Sequence, residues 1–432
     1  MARVKRRLER SLDMYRRHAE LVPGGSQTTS KRPTLYAFGR YPIFASHGRD
    51  GHVWDVDGNE YVDFVMALGP VTLGYRYPAV DEAIRTQLDR GIVFGLLAEV
   101  ELEAAEAVVA AVPCAEQVRF LKGGAEVTSA AARIVRAYTG REKLVNCGYR
   151  GWHDTWSVTR NDGGIPRALS PYTLTFEYNN LASLERALDE HRGEVAAVFL
   201  DPFSSQLPEP GFLEGVRELA HAHGALLVFD EIVTGFRLAL GGAQEHFGVV
   251  PDLACFAKGI ANGMPLGAVC GRREVMQIAE RLIVSVTYGG EALSLAAAVA
   301  AIHEYRTKDV FPRIWTLGRR LMDGLQAAAG ETRVPFRCYG LAPMSAMSFD
   351  AATPELDALM WRYFLQEAAQ SGVLFRRGGL NLVTYTHTEA DVDLAVAVAR
   401  EAFRELRRRL DDGSLPAAAG AEPPGSAGIR RF

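Results

Sequence analysis

From residue 80 onward, short runs of apolar residues alternate with longer amphipathic segments, and this alternation restricts the fold most strongly. Strands buried on both faces of a sheet have apolar runs of this kind, and helices connect them in βαβ units. We therefore predict a mostly parallel sheet covered by helices on both faces. Its apolar runs are QVRFL at 117–121, KLVNC at 143–147, AAVFL at 196–200, ALLVF at 225–229 and DLACF at 252–256.

The remaining segments divide the chain into further regions. Residues 1–65 begin with an amphipathic basic helix, continue through a loop and end in a hairpin that turns at Asp57-Gly58. We expect the large α/β domain at 66–300 and a smaller α+β domain at 301–410. The tail at 411–432 is rich in Pro, Gly and Ala, and we expect it to be disordered.

The overall composition argues against several classes of partner. The chain has 432 residues and a net charge of −4, which gives no electrostatic reason to expect a nucleic acid or an anionic membrane. No segment approaches the run of about 20 apolar residues that a membrane-spanning helix requires. The cysteines lack metal-binding spacing, which predicts a reducing cytoplasm, no structural metal and small buried thiols: Cys114, Cys147, Cys255, Cys270 and Cys338.

Polar and glycine residues follow the predicted strands directly. In open α/β sheets, ligands bind beyond the carboxyl ends of the strands, so these residues should meet at one edge. Taken singly, an Asp after a strand is often a helix cap, and a Gly pair is often only a turn. Occurring together, they predict a site formed by Gly123-Gly124-Ala125, Tyr149, Asp201, Asp230 and Lys258.

This set of residues matches the needs of pyridoxal phosphate (PLP). That cofactor requires a lysine amine, a carboxylate for its pyridine nitrogen and a helix N-terminus for its phosphate. Lys258 lies among glycines and small apolar residues in CFAKGIANGMPLGA, and desolvation there would lower its pKa and make the amine a usable nucleophile. We therefore interpret Lys258 as functional and not as an ordinary surface lysine.

Several longer motifs carry a family resemblance. They are PGG at 23–25, DGHVWDVDGNEYVDF at 50–64, ARIVRAYTGREK at 132–143, GYRGWHD at 148–154, LLVFDEIVTGFR at 226–237, PDLACFAKGIANGMPLGA at 251–268 and HTEADVD at 387–393. Together they resemble class III (ω-type) PLP-dependent aminotransferases of fold type I, and among these the branch like glutamate-1-semialdehyde aminomutase. The resemblance implies a large domain with a mostly parallel seven-stranded sheet flanked by helices, plus a smaller α+β domain built from both chain ends.

The resemblance also implies roles for individual residues. Lys258 would be the Schiff-base lysine and Asp230 the partner of the pyridine nitrogen. Ile232 and Tyr149 would lie against the two faces of the ring. The remaining cofactor contacts would come from Gly123, Gly124, Ala125, Asp201 and, across a homodimer interface, Thr287.

Some positions depart from the family pattern. The phosphate turn, commonly Ser-Gly-Thr, is Gly123-Gly124-Ala125 here and lacks both hydroxyls, which Thr128 or Ser129 could replace. Asp201 stands where the family usually has glutamate, and Arg150 where it often has histidine. As substrate contacts we predict Lys31, Arg32, Arg150 and Glu291.

The predicted activity is ping-pong transfer of an amino group from an amino acid donor to a carbonyl acceptor, in a biosynthetic or secondary-metabolite pathway. Three alternatives remain: a glutamate-1-semialdehyde-type 2,1-aminomutase, racemisation or decarboxylation, and a non-catalytic relative that binds the cofactor. We expect a cytoplasmic homodimer with shared active sites, which uses small-molecule substrates and has no metal, nucleic-acid or membrane partner.

Overall fold

The computed structural model describes residues 6–160, 163–203 and 205–419. The chain forms two compact units. The first contains the described residues up to Leu68, Leu73–Tyr77 and the chain from Pro312 onward. The second contains Gly69–Thr72 and Pro78–Phe311. The sequence placed the boundaries of the large domain at 66 and 300.

The strands and helices of the described residues follow in chain order. The strands are β1 (Ala45–Arg49), β2 (His52–Asp55), β3 (Glu60–Asp63), β4 (Gln117–Leu121), β5 (Lys143–Cys147), β6 (Thr173–Thr175), β7 (Val195–Leu200), β8 (Leu226–Asp230), β9 (Leu253–Phe256), β10 (Gly267–Gly271), β11 (Phe336–Leu341), β12 (Met344–Phe349), β13 (Val373–Leu374) and β14 (Leu380–Leu382). The α-helices are α1 (Glu9–Leu21), α2 (Pro78–Arg90), α3 (Glu99–Ala111), α4 (Gly124–Thr139), α5 (Asp154–Ser157), α6 (Leu181–Glu190), α7 (Phe212–Ala222), α8 (Ala243–Phe247), α9 (Arg273–Met276), α10 (Ala292–Thr307), α11 (Val310–Thr332), α12 (Pro354–Gln370), α13 (Glu389–Asp411) and α14 (Leu415–Ala419).

The second unit is built on a seven-stranded sheet with the order β4-β10-β9-β8-β7-β5-β6. Strand β10 runs antiparallel to both of its neighbours, and the other strand pairs are parallel. This confirms the predicted mostly parallel seven-stranded sheet. Because β10 is the one reversed strand in it, β4, β5, β7, β8 and β9 all end at the same edge.

Apolar side chains of the central strands pack on both faces of this sheet. Along β7, Ala197 and Phe199 belong to one buried cluster with α4, whereas Val198 and Leu200 belong to another with α6 and α7. Neither face of a strand covered on both sides contacts water, so all its side chains can be apolar. This explains the continuous apolar runs in the sequence.

The first unit contains the predicted hairpin and N-terminal helix. Strands β2 and β3 pair antiparallel, with β1 and β13 completing their sheet. Asp57, in the hairpin turn, accepts hydrogen bonds from the backbone N–H groups of Arg10 (2.8 Å) and Ser11 (2.9 Å) at the start of α1. A carboxylate at a helix N-terminus satisfies orphan N–H groups there, so the turn fixes the helix.

The end of the chain differs from the predicted disordered tail. Helix α13 continues to Asp411, and α14 follows it. Leu415 and Ala419 are buried, and α14 packs on α12, so two apolar side chains hold this segment in place. Residues 420–432 of the predicted tail lie outside the described residues. No described helix is long and apolar enough to cross a membrane.

Candidate active site

A buried arginine joins two aspartates at the carboxyl edge of the sheet. Arg150 follows β5, Asp201 follows β7 and Asp230 ends β8. Nη1 of Arg150 donates to Oδ2 of Asp230 at 2.7 Å, and Nη2 donates to Oδ2 of Asp201 at 2.8 Å. Arg150 is 1% exposed and Asp230 4% exposed. The three side chains therefore form an ion-pair network that is largely shielded from water.

The other donors of Arg150 bind its own segment. Nε donates to Oδ1 of Asn146 at 3.0 Å, and the guanidinium also binds the carbonyl oxygens of Cys147 and Tyr149. A guanidinium has five N–H donors and no acceptor, and these contacts together with the two aspartates use all five. The sequence predicted that Arg150 contacts substrate; its donors are engaged within the protein, and a substrate contact stays a prediction.

The network changes the acidity of its members. Burial by itself would lower the pKa of Arg150, but the carboxylates of Asp201 and Asp230 outweigh burial and raise it, so the guanidinium stays charged. Burial raises the pKa of Asp201 to about 6, although Arg150 and Lys258 act in the opposite direction. Lys258 is thus close enough for its charge to lower the pKa of Asp201.

Lys258 begins a short 3-10 helix, Lys258–Ala261, just beyond β9. Its backbone is in the left-handed region (φ 47°), which is uncommon for a residue with a side chain. The next residue is anchored, since the buried Tyr305 hydroxyl donates to the Gly259 carbonyl at 2.8 Å. The half-buried Lys258 is therefore held on a fixed backbone at the same sheet edge as Asp230.

The turn between β4 and α4 presents a helix N-terminus to this edge. The Glu126 carboxylate accepts hydrogen bonds from the N–H groups of Lys122 (2.9 Å) and Gly123 (3.0 Å). Gly124 and Ala125 are the first two residues of α4, and the first N–H groups of a helix lack intrahelical acceptors. Those two N–H groups are therefore suited to bind an anion.

Close packing around this turn excludes larger residues. A Cβ added to Gly124 would lie 2.8 Å from Cδ1 of Ile232, and one added to Gly151 would lie 2.7 Å from Cβ of Ala125. The turn therefore lies close to Ile232 after β8 and also to the segment after β5. Tyr149 in that segment is 56% exposed, and the Arg160 guanidinium lies 5.1 Å from its ring centre.

The hydroxyls that could have replaced the missing phosphate ligands have other partners. The Thr128 hydroxyl donates to the carbonyl of Arg150 at 2.6 Å, and the Ser129 hydroxyl lies 2.8 Å from Nδ1 of His153. Both bonds fasten α4 to the segment after β5. Backbone N–H groups thus remain the main phosphate donors that this turn offers.

Glu291 has a structural role. Its carboxylate caps α10 by accepting hydrogen bonds from the N–H groups of Leu293 and Ser294, and it forms an ion pair with Lys122 at 2.8 Å. Burial would raise the pKa of Glu291, but the bonds from Lys122 and Ser294 outweigh burial and lower it. A substrate contact of Glu291 stays a prediction. Thr287 lies four residues earlier, in an exposed turn.

The other two predicted substrate residues belong to the first unit. Lys31 is exposed at the end of a 3-10 turn, Thr29–Lys31. Arg32 follows it, and its guanidinium packs near Gly24, since a Cβ there would lie 3.1 Å from Nε. For these two residues, contact with substrate stays a prediction.

Sequence reasoning missed two residues that organise the site. Asn146 is buried, accepts a hydrogen bond from Arg150 and donates one to the Gly148 carbonyl at 3.0 Å. A polar residue inside an apolar strand does not indicate in the sequence which residue it will bind. Glu126 could have been found, because an acidic residue three positions into a helix commonly binds the preceding N–H groups.

The residues present fit PLP. The donor set combines an amine on a fixed backbone, a buried carboxylate and a helix N-terminus with close-packed glycine, and these are the groups that the cofactor requires. No cluster of side chains in the described residues could hold a metal ion.

Comparison with known proteins supports this interpretation. The family aminotransferase class-III matches residues 36–395. A 3-aminobutyryl-CoA aminotransferase of Cloacimonas acidaminovorans is 34% identical over 94% of this chain and 99% of that protein. A glutamate-1-semialdehyde 2,1-aminomutase of Chloroflexus aurantiacus is 35% identical over the same shares. The solved PLP internal aldimine form of the Sphingopyxis sp. MTA144 FumI protein superposes with a TM-score of 0.88, at 27% identity, over 93% of this chain and 97% of that one.

Proposed function

The chain belongs to the class III aminotransferase family and uses pyridoxal 5'-phosphate, and on that premise we propose how its residues divide the work. The observation that carries the proposal is the convergence of Asp230, Asp201 and Lys258 on one sheet edge, beside the helix N-terminus at Gly124. The enzyme moves an amino group from an amino acid donor to a carbonyl acceptor in two half-reactions.

Lys258 and Asp230 carry the chemistry. When bound, the cofactor supplies an electron sink that stabilises negative charge on the substrate carbon. Lys258 would hold the cofactor through Nζ, and the same amine would move a proton to and from the substrate carbon. The Asp230 carboxylate would keep the ring nitrogen protonated.

The remaining contacts orient the cofactor. The N–H groups of Gly124 and Ala125 would bind the phosphate at the start of α4, as the helix dipole favours. Ile232 would pack on one face of the ring and Tyr149 on the other. Because these groups lie at the carboxyl ends of neighbouring strands and in the segments next to them, they would hold the reacting carbon near Lys258.

A second activity, 2,1-aminomutation, is favoured by the relative of that name at 35% identity. A transaminase needs an external carbonyl acceptor to complete its cycle, whereas a mutase returns the amino group to the same molecule. We expect turnover only when a keto acid or aldehyde is added to the amino donor. Turnover of an amino aldehyde with no added acceptor would favour the mutase.

A screen of amino donors should vary the carbon that carries the amino group. The relative from Cloacimonas acidaminovorans is named for an amino group at carbon 3 of an acyl thioester. Donors with the amino group at carbon 2 or carbon 3 should therefore be compared, with release of the matching carbonyl product as the measurement. A preference for carbon 3 would link this chain to that chemistry.

We also propose a homodimer with shared active sites. The segment between α2 and α3 exposes large apolar side chains, including Phe94 (46%), Leu96 (85%) and Leu97 (88%), and patches of this kind commonly mark protein interfaces. Ile92, in the same segment, accepts a hydrogen bond from the N–H of Ala292 at 2.9 Å, which places it beside the start of α10, five residues after Thr287. A second copy covering this surface would bring Thr287 to its partner's cofactor phosphate.

Sedimentation tests the dimer. We expect a dimer for the holoenzyme and easier dissociation of the apoenzyme, because a ligand held across an interface stabilises the assembly. A monomeric holoenzyme would remove the role of Thr287. A cytoplasmic location is part of the proposal, since all five cysteines are free and most are buried.

A further inference from the structure

We propose that Arg150 is a positioning residue, which fixes the Asp230 carboxylate and the Tyr149 segment relative to each other, while Asp201 cancels its charge. The inference rests on the proposed function, in which Asp230 faces the ring nitrogen. It gives Asp201 a role that does not require contact with the cofactor.

The charges of the network lead to this assignment. Arg150 lies between Asp201 and Asp230, and its bonds to them are nearly equal in length, at 2.8 and 2.7 Å. One cation and two carboxylates leave one net negative charge. With Arg150 and Asp230 alone, the pair would be neutral and a protonated ring nitrogen would have little to stabilise it. Asp201 restores the negative charge that Asp230 must present.

The geometry accounts for the positioning. One oxygen of Asp230 accepts from Arg150 and the other from the N–H of Ile232 at 3.0 Å, so the carboxylate cannot turn. The same guanidinium binds the carbonyl oxygens of Cys147 and Tyr149. One side chain therefore connects the acidic group at the end of β8 to the aromatic segment after β5.

Neighbouring ionisable groups do not replace Arg150 in this balance. Burial raises the pKa of Cys147 to about 11, and it also raises the pKa values of Cys255 and Tyr178, so these groups stay neutral near pH 7. Lys258 acts electrostatically on Asp201, but its amine is engaged in the reaction. Arg150 is thus the cation that remains constant through the cycle.

The experiment compares four full-length holoenzymes reconstituted with PLP labelled with ¹⁵N at the ring. They are the wild type, Arg150→Gln, Asp201→Asn and the double variant. The ¹⁵N chemical shift reports ring protonation over a pH series, fluorescence titration gives the dissociation constant of PLP, and the melting temperature of each apoprotein reports folding.

Charge balance predicts different outcomes for the variants. Asp201→Asn should lower ring protonation, and the double variant should restore it, because removing both charges leaves Asp230 with its own. Both variants that lack Arg150 should bind PLP about tenfold or more weakly, since positioning is lost. If Arg150 had a purely structural role, its loss would change the melting temperature and the affinity for PLP. Adding Arg150→Gln to Asp201→Asn would then not restore protonation of the ring nitrogen.

The proposal is overturned if Asp201→Asn leaves ring protonation unchanged, or if the double variant matches Asp201→Asn. If Arg150→Gln does not fold, Arg150→Lys serves instead: it keeps the charge and loses the fork of donors. We expect wild-type ring protonation and weakened PLP binding for it; wild-type affinity would overturn the positioning role. If wild-type protein binds no PLP, the proposed function fails as well, and this outcome is distinct because the wild type itself is affected.

Discussion

Asp230→Asn should lower kcat about a thousandfold while the chain still folds. The substitution keeps the shape of the side chain and removes the negative charge that we propose for the ring nitrogen. Asp230 is 4% exposed and its neighbour Arg150 is fully enclosed, so water screens the charge weakly. Two unit charges 4 Å apart interact by about 4 kcal/mol at an effective dielectric constant of about 20. At about 1.36 kcal/mol for each tenfold change in rate, this is roughly a thousandfold.

The substitution should also reduce folding stability. The two oxygens of Asp230 accept from Nη1 of Arg150 at 2.7 Å and from the N–H of Ile232 at 3.0 Å. An asparagine has one oxygen, so its amide group must face one of these donors. A buried hydrogen bond lost in this way costs about 1–3 kcal/mol of the free energy of unfolding.

Asp252→Asn is the matched control. Asp252 is 3% exposed, and its two oxygens accept from Nη1 of Arg272 and from the N–H of Leu227, both at 2.8 Å; Oδ2 also lies 2.8 Å from Nε2 of His221. It precedes β9 and therefore lies at the opposite edge of the sheet from Asp230. We expect a similar loss of stability and near-normal turnover.

The assay measures kcat with a saturating amino donor and acceptor, PLP content from the visible absorption band, and unfolding by urea. The expected result is that both variants lose stability and only Asp230→Asn loses turnover with PLP still bound. Unchanged kinetics in Asp230→Asn would mean that another residue faces the ring nitrogen. An equal loss of turnover in Asp252→Asn would mean that the rate follows stability and not charge.

Three further substitutions test other parts of the site. Lys258→Ala should lose the visible cofactor band and turnover together, and normal turnover would refute its role. Thr287→Ala should weaken PLP binding roughly tenfold, as expected for one charge-assisted hydrogen bond, while Ser285→Ala in the same exposed segment should not; equal affinities in a titration would remove the cross-subunit contact. Gly124→Ala should weaken PLP binding because its Cβ would lie 2.8 Å from Cδ1 of Ile232, and adding Ile232→Val should restore affinity; no recovery would show that this contact is not the cause.

The sequence alone determined the sheet and where its polar residues emerge. Apolar runs separated by helical segments can be buried on both faces only in a βαβ arrangement, and this requirement is local enough to be visible in the residue pattern. Because parallel strands end at one edge, the positions of Asp230 and Lys258 in sequence were enough to place them at a common site. The hairpin at Asp57-Gly58 and the N-terminal helix were equally predictable from local patterns.

Only the tertiary structure decided the contacts between residues distant in sequence. Arg150 meets Asp201 and Asp230, 51 and 80 residues away, because β5, β7 and β8 are neighbours in the sheet, and strand order leaves no local periodicity to detect. The sequence therefore suggested a substrate contact for a side chain that is wholly engaged within the protein. Glu291 shows the same limit: a glutamate before a helix can cap it or face a ligand, and its pairing with Lys122, which directly follows β4, depends on how the chain packs.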